Sequence, residues 1–325
     1  MAIIEEVADN IYKFRLPMPA RLDHINVYLV RENNSLSMVD TGLPTPESWQ
    51  VLNECLDSLK VAFSELTDIF VTHSHTDHIG QLHRIRKVAP AAHLHMHKRE
   101  LEMLREQVIN PEQTRAQMRA WFLSHGATEL AEEEQGWNMP RLPEMGAQDR
   151  VLEGGEKLAL GEGPQGEWEV MWTPGHTAGH FVLHNRTRHM MLSGDHLLGQ
   201  ISSNVGKYPG STDDPLGDYL SSLTKIAELE LQKVLPAHGL PFDDYRARAA
   251  DLLHHHKLRL EKMCTAVEGK PTTAAEVVKY IWGDRLRGFD RYLALVETLS
   301  HLERLIREKR ITSEQRGSIT YFQAA

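Results

Sequence analysis

His73-Ser74-His75-Thr76-Asp77-His78 places four metal-ligating side chains within six residues, directly after the apolar run Ile69-Phe70-Val71. An extended segment alternates its side chains with period two, so His73, His75 and Asp77 are expected on one face. A loop at that point would let His78 swing to a second metal position. Neutral imidazoles and a carboxylate suit zinc, and also iron or manganese in mixed nitrogen and oxygen sites. A chain with 19 histidines can produce one cluster by chance. What gives this one weight is that further ligand types recur downstream in the same setting.

His176 lies in Thr173-Pro174-Gly175-His176-Thr177, after the strand-like run Trp168-Glu169-Val170-Met171-Trp172. Asp195 lies in Leu192-Ser193-Gly194-Asp195 after Met190-Met191, and His238 in Leu235-Pro236-Ala237-His238-Gly239 after Lys233-Val234. Asp40 in Val39-Asp40-Thr41-Gly42 repeats the design. Glycine and proline mark tight turns where backbone must approach closely. Five strand exits carrying His or Asp predict one rim of a sheet sandwich, with loops converging on a metal site.

On these motifs the chain resembles the metallo-β-lactamase superfamily. Its H-x-H-x-D-H reads as His73 to His78, its later ligands match His176, Asp195 and His238, and its early VDTG reads as Val39 to Gly42. The resemblance implies an α+β fold, an αββα sandwich with metals at the edge where the two sheets meet. It implies two divalent ions, zinc first, with iron or manganese as alternatives. His73, His75 and His176 would hold one ion, Asp77, His78 and His238 the other, with Asp195 bridging. A dinuclear metal-dependent hydrolase follows, attacking an ester-type bond (thioester, lactone or ester) with a metal-bridging hydroxide. Asp77 would be catalytic, orienting the nucleophile and shuttling its proton. Asp40 would fix a metal-binding histidine from behind. Leu198 stands three residues after the bridging Asp, where lactonases of the superfamily often carry Tyr, which weakens the lactone branch. Two alternatives are a metal-dependent endoribonuclease or phosphodiesterase and a single-iron sulfur dioxygenase.

Composition agrees with a globular enzyme: 325 residues, 41% hydrophobic and 25% charged. That length predicts a large domain with an appendage, divided as 1–240 catalytic and 241–325 C-terminal. The opening Met1-Ala2-Ile3-Ile4-Glu5-Glu6 lacks the basic start and apolar stretch of a signal peptide, and no run approaches the ~18 apolar residues of a membrane helix. Cys55 and Cys264 form no metal-spaced pair. A reduced, cytoplasmic setting without membrane contact is expected. Of 36 basic and 45 acidic residues, 15 and 12 fall in 241–325 (net +3), leaving 21 and 33 in 1–240 (net −12). Nucleic-acid affinity comes largely from basic side chains meeting phosphates, so a small-molecule substrate is expected instead.

The elements that must position these residues are also legible. Ile11 to Leu16 and Asn26 to Val30 read as strands, and Pro46-Glu47 opens a helix with Trp49, Leu52, Leu56 and Leu59 at helical spacing. The insertion 98–150 predicts helices over 100–107 and 111–124, the second carrying Met118, Trp121 and Phe122. Glu132-Glu133-Glu134 and 138–143 follow. An apolar helical pair there would form a lid for an organic substrate. The Gly/Pro-rich 203–210 would form another wall, which makes Lys207, Tyr208 and Trp121 the candidate substrate contacts. His93-Leu94-His95-Met96-His97 reads as a strand edge rather than a ligand set. His254-His255-His256 sits in a helix, where consecutive residues diverge. The tail reads as a helix over 243–264, a second opened by the capping box Thr273 to Glu276, and a third with the stripe Leu293, Val296, Leu299, Leu302, Leu305 and Ile306. A hairpin over 311–322 completes a winged-helix-like domain, suited to packing on the catalytic domain or on a homodimer partner.

Overall fold

The computed structural model describes residues 3–19, 22–32, 35–133, 143–160 and 166–325. Seven strands form the first sheet in sequence order: β1 (Ile3–Ala8), β2 (Ile11–Pro17), β3 (His24–Glu32), β4 (Ser35–Val39), β5 (Asp68–Val71), β6 (His93–His97) and β7 (Arg150–Leu152). The first four pair antiparallel and the last four parallel. Parallel neighbours need long crossovers, and here these carry helices. α1 (Pro46–Ser58) joins β4 to β5. α2 (Thr76–Ile79) and α3 (Leu82–Val88) join β5 to β6. α4 (Lys98–Ile109), α5 (Pro111–Ser124) and α6 (Thr128–Glu132) join β6 to β7.

The second sheet contains β8 (Lys157–Ala159), β9 (Glu167–Trp172), β10 (Phe181–Asn185), β11 (Met190–Gly194) and β12 (Lys233–Pro236), ordered β12-β11-β10-β9-β8. Only β11 and β12 are parallel, and α7 (Pro215–Ala227) crosses between them.

Period-two alternation sorts the side chains into layers. Tyr28, Val30, Val39 and Phe70 of the first sheet meet Trp168, Val170, Phe181, Leu183, Leu192 and Leu235 of the second in one buried cluster. Their strand neighbours Val27, Leu29, Met38, Ile69 and Val71 face outward, against Leu52 and Leu56 of α1, Leu82 and Ile85 of α3, and Leu101 and Leu104 of α4. On the far side Val182, Met191 and Val234 pack on Leu216, Tyr219, Leu223 and Ile226 of α7. The result is the expected α+β sandwich of helix, sheet, sheet and helix.

The tail contains α8 (Tyr245–Ala266), α9 (Ala274–Trp282), α10 (Phe289–Arg307) and a hairpin of β13 (Ile311–Arg316) and β14 (Ile319–Ala324). The capping box opens α9: Glu276 N–H donates to Thr273 Oγ1 at 3.3 Å, and Glu276 Oε2 accepts from Thr273 N–H at 2.8 Å. The insertion docks on this tail. Phe122 and Leu130 share a buried cluster with Leu295, Leu299 and Leu302, the Ala275 N–H donates to the His125 carbonyl, and Arg291 pairs with Glu129 and Glu133. Residues 134–142, including Glu134 and most of the 138–143 loop, lie outside the described residues. Among those described, no helix is long and apolar enough to cross a membrane.

Candidate metal centre

β5 ends at Val71, and α2 begins at Thr76. This break corrects the expectation of one shared face. The extended alternation does not reach Asp77, so His73 and His75 turn to one group while Asp77 joins His78 and His238 in another. In the first group His73 Nε2, His75 Nδ1 and His176 Nε2 are mutually 3.0, 3.0 and 3.2 Å apart. A tetrahedral ion with bonds of about 2.0–2.1 Å to nitrogen sets its ligands roughly 3.3 Å apart. His176 donates its Nδ1–H to the Asn204 carbonyl at 2.7 Å, which leaves Nε2 as a lone pair aimed at the other two rings. Burial first, then repulsion from neighbouring imidazoles, depresses His73 and His176, the latter to about 4; His75 is lowered too, because its desolvation outweighs the attraction of Asp77. They are neutral donors at physiological pH.

The second group has the opposite electrostatics. His238 Nε2 lies 3.3 Å from Asp77 Oδ2 and 3.4 Å from Asp195 Oδ1. His78 Nε2 lies 3.7 Å from Asp77 Oδ2 and 3.5 Å from Asp195 Oδ2. Burial alone would lower both imidazoles. The carboxylates around them outweigh it, raising His78 well above its ordinary value and His238 to about 10. Burial likewise opposes ionisation of Asp77, yet His78 and His238 bring it down to about 2. Asp195 Oδ2 is 3.5 Å from His78 Nε2 and 3.6 Å from His176 Nε2, so a single oxygen faces both groups. His78 Nε2 and Asp195 Oδ1 are buried without a hydrogen-bond partner. Orphaned donor atoms of this kind, beside a field that attracts positive charge, fit divalent cations.

Several of these side chains are oriented from behind. Asp40 has a left-handed backbone (φ 61°), and its carboxylate accepts from His78 Nδ1–H at 2.8 Å, Thr72 N–H at 2.9 Å and Thr72 Oγ1 at 3.0 Å. His238 Nδ1–H donates to the His24 carbonyl at 2.9 Å, while Asn26 and Tyr28 on β3 bind the Pro236 carbonyl and hold the loop that carries His238. Three of these supports escaped the motif reading. Buried Glu100 accepts from Ser74 N–H, Ser74 Oγ and Gly179 N–H, joining the loop of His73 and His75 to the loop of His176. His180 Nε2 accepts the Asp195 N–H at 3.1 Å, and its Nδ1–H meets Thr173 Oγ1 at 2.9 Å. Asn204 ties His176 to α10 through Leu293 O. The one available signal was position: Glu100 and His180 lie just after β6 and just before β10, close to ligand loops.

The three candidate substrate contacts are placed differently. Tyr208 sits beside Tyr292 and Glu100, and burial pushes its phenol up. Lys207 Nζ donates to the Thr212 carbonyl at 2.7 Å, and Trp121 packs partly buried against the cluster shared by the tail. Leu198 is buried. His93, His95 and His97 lie on β6, which is paired on both sides by β5 and β7 and so is an inner strand, not an edge. His254, His255 and His256 lie on α8, where His256 Nδ1 contacts His301 Nε2 at 3.1 Å.

Comparison with known proteins gives the family. The metallo-beta-lactamase superfamily profile matches residues 20–238, and the metallo-beta-lactamase-like C-terminal domain matches residues 260–325. A probable metallo-hydrolase of Bacillus subtilis (strain 168), YqjP, is 28% identical over 97% of this chain and 98% of its own. A crystal structure of a metallo-beta-lactamase family protein from Thermus thermophilus superposes with TM-score 0.82 at 29% identity, covering 98% of this chain and 100% of that one. An atrochrysone carboxyl ACP thioesterase of Pseudocercospora fijiensis is 23% identical over 92% of this chain and 74% of its own. The chain belongs to the metallo-β-lactamase superfamily, and it is a metal-dependent hydrolase of that superfamily.

Proposed function

We propose that the chain is a dinuclear hydrolase of ester-type bonds, with thioesters foremost. The observation that carries the dinuclear reading is Asp195 Oδ2, equidistant to within 0.1 Å from His78 Nε2 (3.5 Å) and His176 Nε2 (3.6 Å). On this reading His73, His75 and His176 hold one ion, Asp77, His78 and His238 the other, and Asp195 serves both. Divalent ions held there, zinc first, supply a water nucleophile ionised near neutral pH and a charge that polarises the electrophile.

The chain's own residues do the rest. Asp77, held ionised at physiological pH, accepts a hydrogen bond from the attacking water, aligns it and takes up its proton. Asp40 fixes His78 with Nε2 turned inward, and the His24 carbonyl does the same for His238. Asn204, whose carbonyl accepts from His176, is tied to Leu293 of α10, so residues 241–325 support a site built by 1–240. Two things support an acyl substrate over a phosphodiester polymer: the −12 charge of 1–240 and the engagement of Lys207 by Thr212. The resemblance to a carrier-protein thioesterase favours a thioester within that class.

The test pairs elemental analysis with a panel of acyl thioesters, lactones, esters and single-stranded RNA. Two ions per chain at the centre and thioester turnover are the expected results. One ion at the centre at full loading removes the dinuclear reading. Cleavage of RNA alone, falling steeply with salt, replaces the substrate class.

A further inference from the structure

Ligand-type side chains also meet at the opposite end of the first sheet. Asp68 opens β5 and His93 opens β6, and the two are direct register partners of a parallel pair. His95, two residues on, returns to the same face because strand side chains alternate. Asp68 Oδ1 lies 2.7 Å from His95 Nε2 and 3.6 Å from His93 Nδ1, and the three ligand atoms fall within 4.8 Å of one another. His95 is buried with its ring stacked on Phe70, centroids 4.3 Å apart, so one donor is oriented before anything binds. Burial opposes ionisation of Asp68, but hydrogen bonds from His95 and Thr67 and the nearby imidazoles outweigh it and hold the carboxyl below its ordinary value. The His93 side chain is 43% exposed, which leaves the outer side of the cluster open to water.

A hydrogen bond between Asp68 and His95 accounts for two members of the cluster. It leaves the third unexplained, because His93 Nδ1 at 3.6 Å is too far from the same oxygen to be hydrogen-bonded. We infer that Asp68, His93 and His95 form a further divalent-cation site, separate from the catalytic rim. One carboxylate and two imidazoles, with open positions for water, suit zinc and accept cobalt(II) or nickel(II) as well. The ion takes the place of the Nε2 proton of His95, which leaves to solvent, and it cross-links the starts of two adjacent strands. Asp68, His93 and His95 belong to neither of the two groups at the rim, so no ligand is shared with them. The inference is independent of the reaction proposed above.

The test counts ions in the full chain. Wild type, His93→Ala, Asp68→Asn, His176→Ala and the double variant His93→Ala/His176→Ala are dialysed against micromolar zinc and analysed for bound metal. Wild type should hold one ion more than His93→Ala and Asp68→Asn. The same one-ion difference should persist between His176→Ala and the double variant. Thermal unfolding should shift further with added zinc in wild type than in His93→Ala, whose half-exposed side chain the fold does not need. Equal ion counts and equal thermal shifts for wild type and His93→Ala overturn the site.

Discussion

Glu100 and Ser74 are joined twice inside the molecule: Glu100 Oε2 accepts from Ser74 N–H at 2.8 Å and from Ser74 Oγ at 2.5 Å. Ser74 stands between His73 and His75, while the other oxygen of Glu100 accepts from Gly179 N–H at 2.7 Å, three residues beyond His176. The carboxylate is fully buried, and a buried charge is tolerated only when donors satisfy it. Glu100 therefore sets the spacing between the loops that bring the first three imidazoles together.

Glu100→Ala should leave three donors unpaired and loosen that spacing. Metal affinity at the first group should fall on the order of 10- to 100-fold, as for other residues that orient metal ligands. Stability should fall by about 1–3 kcal/mol. Glu100→Gln should be nearly as damaging, because its amide N–H₂ must face a donor. Competition with a chelator measures the first quantity and urea unfolding the second. Wild-type affinity in Glu100→Gln would falsify the positioning role.

The tail makes the fold acid-sensitive through His256 and His301. Burial depresses His256 to about 2 and His301 to about 3, against an ordinary 6.5. Folded values below the unfolded value mean that the unfolded chain binds more protons in this range. The contribution of the pair is complete above pH 6.5 and declines as pH falls from there towards 3. Each group adds a slope of about 1.4 kcal/mol per pH unit. The double variant His256→Gln/His301→Gln should show a flatter fall in urea midpoint between pH 7 and 5. An unchanged slope assigns the sensitivity elsewhere.

Several features were legible because short-range rules govern them. The strand exits at Val39, Val71 and Gly194 follow from apolar runs ending at turn residues, and Thr273 with Glu276 announced the start of α9. Asp77 was misplaced because the strand period was carried past Val71, where α2 takes over and rotates successive side chains by helical steps. Glu100 and His180 were missed for a different reason. Their hydrogen bonds cross 26 and 79 residues to Ser74 and Gly179, and 15 residues to Asp195, separations that no local pattern encodes. Docking of the insertion on α9 and α10 is likewise a matter of which apolar faces meet, and helical spacing reveals a face but not its partner.

Gly175 holds the turn that presents His176, with φ at 133°. A Cβ at this position would sit 2.4–2.6 Å from the Cβ, Cα and N of Tyr219, and backbone cannot swing aside. Gly175→Ala combines a backbone conformation disfavoured for side chains with a clash against α7. The cost should be on the order of 3 kcal/mol. His176 should shift with the turn, so metal at the first group should be lost before the fold is. Calorimetry together with metal counting checks this. A variant with unchanged Tm and full metal content contradicts the packing described for the turn.

Asp77→Asn should separate catalysis from folding. The side chain belongs to no hydrophobic cluster and keeps 17% of its surface exposed at the rim, so replacing it removes little packing. Its carboxylate is stabilised by His78 and His238, and an amide cannot take a proton from water at neutral pH. Asn retains the shape and one acceptor oxygen, so substrate binding should change little. The loss should fall on kcat, because an interaction needed only in the transition state is gone. General-base contributions of about 10²–10⁴-fold set the expected scale. Metal at the second group should weaken as well, so kcat is measured with added zinc and the ion count is determined on the same sample. A kcat near wild type at full loading shows that another group accepts the proton. A loss reversed entirely by added metal shows that Asp77 acts as a ligand alone.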